Sequence, residues 1–159
     1  MDLFEKLSEK LAVKYKDYET RVESENGMKY FVIINPFWNE NIRITDDDGI
    51  IFFFSFQHAH FDYCDDTNEN IKCLIEYIDS YLSENRVVVE FLQDGKNLFG
   101  GDGCRNDIDM SSGESILRSF SGDNEGLYKS LYEHIKGLNC RCSIRGWNCV
   151  YNNDLDFIL

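Results

Sequence analysis

Leu3, Phe4, Leu7, Leu11, Tyr15 and Tyr18 recur at helical spacing with lysines and glutamates between them, which predicts an amphipathic helix from about Asp2 to Asp17. A polar alternation from Thr20 to Glu25, the Asn26-Gly27 turn signal and the apolar run Met28 to Ile34 then read as a β-hairpin. Pro36 ends that pair, and Asn41 to Thr45 alternates again before the Asp46-Asp47-Asp48-Gly49 turn. The phenylalanine-rich stretch from Phe52 to Asp62 reads as one strand, the fourth before a second helix. On it Phe52, Phe54, Phe56, His58, His60 and Asp62 share a face.

Asp66 or Thr67 can cap that second helix, whose buried stripe is Ile71, Leu74, Ile75, Ile78 and Leu82. Val87 to Leu92, the Asp94-Gly95 turn and Asn97 to Phe99 predict another hairpin. Gly100 to Asp123, rich in Gly, Ser, Asp and Asn, is expected to be a long irregular loop with a short turn at Ile116-Leu117. Leu127, Tyr128, Leu131, Ile135 and Leu138 predict a third helix, and Cys140 to Arg145 and Trp147 to Tyr151 predict closing strands. The expected fold class is α+β: a mostly antiparallel curved sheet with about three helices packed on it. The order is α-β-β-β-β-α-β-β-α-β-β.

Length and composition narrow this further. A chain of 159 residues, 43% hydrophobic and 14% aromatic, suits a single globular domain over residues 1–159. There is no export-signal pattern at the start and no apolar run of bilayer length, so a cytoplasmic protein is expected. The six cysteines, Cys64, Cys73, Cys104, Cys140, Cys142 and Cys149, are then expected as reduced thiols. A formal net charge of -13 opposes nucleic acid and anionic membranes as partners and favours a basic protein.

The chemistry on offer centres on His58, His60 and Asp62. His-x-His on a strand can place two imidazoles on one metal such as zinc, and Asp62 can add an oxygen. That arrangement would serve a small metal-dependent hydrolase, but no fourth ligand is evident and the simpler reading is a histidine pair at a sheet edge. A His–Asp general base and a Cys64 nucleophile lack any group to stabilise an oxyanion. Cys140 and Cys142 share a face with Ile144 while Arg141, Ser143 and Arg145 take the other, the pattern of an amphipathic strand rather than a zinc site. Asp102, Asp107 and Asp109 do not have calcium-loop spacing, and Gly100-Gly101-Asp102-Gly103 has no phosphate-loop ending. His134 is expected as a hydrogen-bonded residue at the helix boundary.

From Phe54 to Gly101 the order of features is distinctive. It runs from Phe54-Ser55-Phe56-Gln57-His58-Ala59-His60-Phe61 through an acidic loop and the amphipathic helix to Arg86-Val87-Val88-Val89-Glu90-Phe91. Asp94-Gly95-Lys96 and Phe99-Gly100-Gly101 complete it. This looks like small acidic bacterial proteins grouped with the immunity proteins of toxin systems. The resemblance implies a non-catalytic inhibitor that needs no cofactor and binds a cognate toxin domain, often a basic nuclease. On that view Asp46, Asp47, Asp48, Asp62, Asp65 and Asp66 form the acidic partner-binding surface together with His58, His60 and Tyr63. Phe61 and Trp38 are further aromatic anchors.

Overall fold

The computed structural model describes residues 2–159, which divide into two compact units, 2–80 and 81–159. The fold class is α+β, with nine strands sorted into two antiparallel sheets and four helices among the described residues.

The first unit opens with α1 (Leu3–Lys14). Asp2 caps it reciprocally: its side chain accepts from the Glu5 amide at 2.7 Å, and the Glu5 carboxylate accepts from the Asp2 amide at 3.2 Å. Phe4, Leu7 and Leu11 are the buried stripe. Five strands follow as a meander: β1 (Thr20–Glu25), β2 (Met28–Ile33), β3 (Ile42–Asp46), β4 (Ile50–Phe54) and β5 (Gln57–Phe61), hydrogen-bonded in chain order. α2 (Thr67–Leu82) completes the unit and runs two residues past its boundary.

The expected single strand from Phe52 to Asp62 is in fact two. The chain reverses at Ser55-Phe56, with Ser55 at φ 53 and Phe54 paired with Gln57, so five strands precede α2 instead of four. A continuous run of apolar residues carries no mark of where it folds back, and neither turn residue is a glycine or an asparagine. The registers place Phe31, Ile44, Phe52 and Ala59 in one row across the sheet. The neighbouring row, on the opposite face, is Val32, Arg43, Phe53 and His58. The first face packs on the helices: the Tyr77 ring of α2 meets Phe52 at 4.9 Å and Phe61 at 5.3 Å. α1 lies beside α2, tied by the Tyr15 hydroxyl donating to Asp79 at 3.0 Å and by a Lys14–Asp79 ion pair at 3.0 Å.

The second unit holds β6 (Arg86–Gln93), β7 (Lys96–Cys104), α3 (Gly113–Ser121), α4 (Glu125–Ile135), β8 (Cys140–Arg145) and β9 (Asn153–Phe157). Its sheet order is β7-β6-β8-β9. Asp94 and Gly95 both have positive φ, as the two-residue hairpin turn between β6 and β7 requires. The core joins Val87, Val89 and Phe91 to Ile116, Leu117, Ile135, Cys140 and Cys142. Phe91 lies at its centre, stacked on Phe99 at 4.5 Å and edge-on to Phe120 at 5.6 Å. Cys140, Cys142 and Ile144 are buried as expected, and Arg141 and Arg145 pair across to Asp156 at 2.7 Å and Asp154 at 2.8 Å on β9.

Two expectations fail in this unit. The segment expected to be loop contains the rest of β7, a single 3-10 turn at Arg105–Asp107 and the whole of α3, so the helix count is four. Glycines signalled a loop, yet in β7 they make room: a Cβ on Gly101 would sit 3.3 Å from the Phe120 ring. Ser112 caps α3 by accepting from the Ser115 amide at 3.1 Å, and Gly113 lets the Phe157 ring close on the helix start. The last strand is not Trp147 to Tyr151 but β9. Residues Gly146 to Asn152 form a loop instead, because short polar side chains capture its amides: Asn148 Oδ1 accepts from Val150 at 3.0 Å and Asn152 Oδ1 from Gly146 at 2.8 Å. The same loop is gripped by Glu84, a buried residue with φ 60 whose carboxylate accepts from the Asn148 amide.

Candidate partner-binding surface

The two ends of the five-stranded sheet differ in chemistry. At one end are the β3–β4 turn and the segment after β5. Asp47 closes the turn by donating its amide to the Gly49 carbonyl at 3.0 Å, and Asp48 takes φ 53. Gly49 faces Asp62 closely: a Cβ built on Gly49 would be 3.5 Å from that of Asp62. The fold therefore brings Asp46, Asp47 and Asp48 together with Asp62, two segments that the sequence keeps well apart. Partial burial pushes the Asp46 carboxyl above the ordinary carboxylate range, opposed by a hydrogen bond with the Gly49 backbone and assisted by the charges of Asp2 and Asp47.

The loop continues this end toward α2. Tyr63 is 72% exposed and rests edge-on against Phe61 at 5.9 Å, while Phe61 itself is buried. Asp65 and Asp66 are both exposed. Asp66 has a structural task as well: it caps α2, its side chain accepting from the Asn68 amide at 2.8 Å and its carbonyl from Asn70 at 3.1 Å. Buried Asn70 anchors the loop by donating to the Cys64 carbonyl at 2.8 Å.

His58 and His60 stand apart from these carboxylates. They project from edge strand β5 on the sheet face opposite the helices, both exposed, with their rings edge to face at 5.6 Å. His58 also lies 6.3 Å from Phe53, its cross-strand neighbour. Two imidazoles at this separation can approach one metal ion, but Asp62 lies against Gly49. Among the described residues no three His, Cys, Asp or Glu side chains converge as a metal-binding group. All six cysteines are free; Cys64 and Cys104 are exposed, and burial pushes the Cys142 thiol up to about 12.

The opposite end of this sheet carries a feature that sequence reasoning missed. Here the β2–β3 loop, stapled by the Asn35 amide donating to Asn41 at 2.9 Å and Asn35 accepting from Phe37 at 2.9 Å, meets the Ser55-Phe56 turn. Phe37 is 58% exposed and Phe56 36% exposed. Between the loop and the outer sheet face is a cleft of about 280 Å³, bordered by Tyr30, Phe53 and the backbone turn at Phe54-Ser55 and edged by Asn39 and Glu40, with the Phe54 ring itself fully buried on the other face. Arg43 borders it too, stacked over the Tyr30 ring at 4.0 Å and paired with Glu25 at 2.7 Å and Glu23 at 3.9 Å. The alternation Ile42-Arg43-Ile44 already placed Arg43 on the face away from the core, but nothing in the sequence brought Glu40 to it.

Compared with protein-family models, with curated proteins and with solved structures, the chain matches none of them. No helix among the described residues is long and apolar enough to cross a membrane.

Proposed function

We propose that this chain is a non-catalytic, cytoplasmic binding protein of immunity type, which neutralises a basic toxin domain such as a nuclease by covering it. The observation that carries this reading is the meeting of the β3–β4 turn with Asp62 beside exposed Tyr63, in a chain of net charge -13. Exposed Asp47, Asp48, Asp62 and Asp65 present several negative charges at one end of a rigid sheet, where they speed encounter with a cationic surface. Tyr63 adds an amphipathic ring of the kind that anchors protein interfaces. Inhibition then follows from occupancy, because a covered active site or substrate surface admits no substrate.

The test is co-expression with a basic nuclease domain encoded beside this gene. The pair should co-purify, nuclease activity should vanish at equimolar ratio, and association should slow about ten-fold or more as salt rises from low to high ionic strength. A combined Asp47→Lys, Asp48→Lys and Asp62→Lys variant should lose most of that rate advantage. Normal nuclease activity in the presence of excess wild-type protein would end the proposal.

The pairing of His58 and His60 at 5.6 Å supports a second reading, a metal-dependent hydrolase built on these two ligands with Asp62 reoriented. It requires stoichiometric zinc or manganese in protein purified without an affinity tag, and its loss in a His58→Ala/His60→Ala variant. Metal-free protein whose melting temperature ignores added zinc excludes it.

A further inference from the structure

We infer that His58 and His60 are half of a zinc site, which a second copy of this chain completes by pairing its β5 edge with that of the first. The two copies then form one continuous sheet, joined by an ion held by four imidazoles.

The two rings are already spaced for one ion. Their centroids lie 5.6 Å apart, and two imidazoles on one tetrahedral zinc, at Zn–N distances of about 2.0–2.1 Å, have centroids roughly 5 Å apart. Both side chains are exposed on the outer face of β5, beside half-buried Ile51 and Phe53 of β4. Two nitrogens leave a tetrahedral ion half-coordinated. No third His, Cys, Asp or Glu converges on the pair among the described residues, so any further protein ligand comes from another chain.

The backbone of β5 supplies the means of bringing that chain in and sets its register. Among the described residues β5 is the last strand of its sheet and is bonded to β4 alone. The two-residue turn at Ser55-Phe56 makes Phe54 and Gln57 a hydrogen-bonded pair, and alternation along the antiparallel ladder makes Phe52–Ala59 and Ile50–Phe61 the next ones. The amides and carbonyls of Gln57, Ala59 and Phe61 therefore face β4, while those of His58 and His60 face the edge of the sheet. Antiparallel pairing of two such edges engages all four histidines when His58 of each copy exchanges hydrogen bonds with His60 of the other, about a two-fold axis at Ala59. In that register the four imidazoles rise from one face. They occupy the corners of a rectangle about 7 Å along the strands and about 5 Å across them, with the ion above its centre.

Strand pairing alone does not hold the copies together. Five residues a side bury far less than the roughly 1,000 Å² of a stable interface, and each copy carries a net charge of -13. The ion supplies the missing attraction, so the dimer depends on it. The other edge strands, β1, β7 and β9, contain no histidine. Four nitrogens also leave the ion no open position, so this site assembles chains and does not activate water, in contrast to the hydrolase reading.

The test uses the whole chain, prepared without an affinity tag and stripped of metal with EDTA. At about 50 µM chain, half an equivalent of zinc should double the sedimenting mass, the titration should saturate at one zinc per two chains, and EDTA should restore the monomer. Magnesium, which prefers oxygen ligands, should have no effect. Backbone hydrogen exchange reads the register: the His58 and His60 amides should gain at least about ten-fold protection with zinc, while those of Ala59 and Phe61, already bonded to β4, change little. His58→Ala and His60→Ala should each abolish the zinc-dependent dimer and leave the zinc-free melting temperature unchanged. Cys64→Ser/Cys104→Ser, which removes the exposed thiols, should keep it. One zinc on each monomer would overturn the inference in favour of the open site of the hydrolase reading. A dimer that forms without zinc, survives His60→Ala or leaves both histidine amides unprotected would overturn it as well, as would an unchanged mass up to about 1 mM zinc. The toxin-binding reading is decided separately, by the nuclease assay and the acidic end of the sheet.

Discussion

The Glu84 carboxylate lies so close to Gly146 that a methyl group added at Gly146 would overlap it. Glu84 also accepts from the Asn148 amide, and Arg105 Nε donates to the Glu84 carbonyl at 2.8 Å while stacking over Tyr151 at 3.9 Å. One residue thus connects the start of β6, the end of β7 and the β8–β9 loop. Gly146→Ala should cost about 1–3 kcal/mol in urea unfolding, since the obstruction is a buried side chain that must move. Removing the carboxylate relieves the overlap, so Glu84→Ala/Gly146→Ala should be less destabilised than the sum of the single variants by about 1 kcal/mol. Strict additivity would mean that the two residues do not obstruct each other.

Burial pushes the Glu84 carboxyl above the ordinary glutamate range, more strongly than the Asn148 and Trp147 amides and the Arg105 charge pull it down. The folded state therefore holds this proton more tightly than the unfolded chain does. The contribution of Glu84 is most favourable below the unfolded value of about 4.3 and declines as pH rises through the raised folded value. Asp154 has the opposite sign: a hydrogen bond from Arg145 holds it low, so its contribution is present at neutral pH and lost as pH falls. Glu84→Gln isolates the first effect. Across this window the stability of wild type relative to Glu84→Gln should fall with rising pH, as measured by urea unfolding at closely spaced pH values. A difference that rises with pH would contradict the assignment.

Thiol reactivity should follow burial. Cys64 and Cys104 are exposed, whereas Cys140 and Cys142 are buried with thiols raised by desolvation, Cys142 to about 12. Iodoacetamide at neutral pH should modify Cys64 and Cys104 first and reach Cys140 and Cys142 only on unfolding, as read by peptide mass spectrometry. Early modification of Cys142 would show that β8 opens in the native state.

Asp66 and its neighbour Asp65 separate stability from binding. Asp66→Ala removes the α2 cap and should cost about 1 kcal/mol, whereas Asp65→Ala should stay within about 0.5 kcal/mol of wild type. Both should slow association with a basic partner by similar factors, because both carboxylates are exposed at the same end. Equal thermal stability of the two variants would remove the capping role.

Elements whose signals are local were legible in the sequence. Phe4, Leu7, Leu11 and Tyr15 of the first stripe, Ile71, Leu74 and Ile78 of the second, the Asn26-Gly27 and Asp94-Gly95 hairpins and the inward thiols of β8 stand as the residue pattern indicates, whereas Tyr18 is exposed and Tyr81, outside the expected stripe, is fully buried. Failures occurred where a local signal had two meanings. Gly101 and Gly103 suggest a loop on composition, but both lie in β7, where the Phe120 ring packs closely on Gly101. Ser55-Phe56 carries no turn chemistry, so only pairing between β4 and β5 reveals the reversal. The candidate surface divides in the same way. Proximity of the acidic turn to Asp62 follows once β4 and β5 are known to pair, but Glu40 reaches its cleft through a loop fixed by Asn35 and Asn41, which periodicity does not describe.

The reversal at Ser55-Phe56 also makes the chemistry of β5 a matter of parity. With two residues in the turn, His58 and His60 point to the outer face and Ala59 and Phe61 to the helices. Deleting one residue there and shifting the pairing by one would exchange these sets, presenting an alanine and a phenylalanine to solvent and sending two imidazoles into the core. An insertion of one residue would do the same unless a bulge absorbed it. The surface of this strand can therefore be rewritten by changing length alone, with every residue of β5 kept.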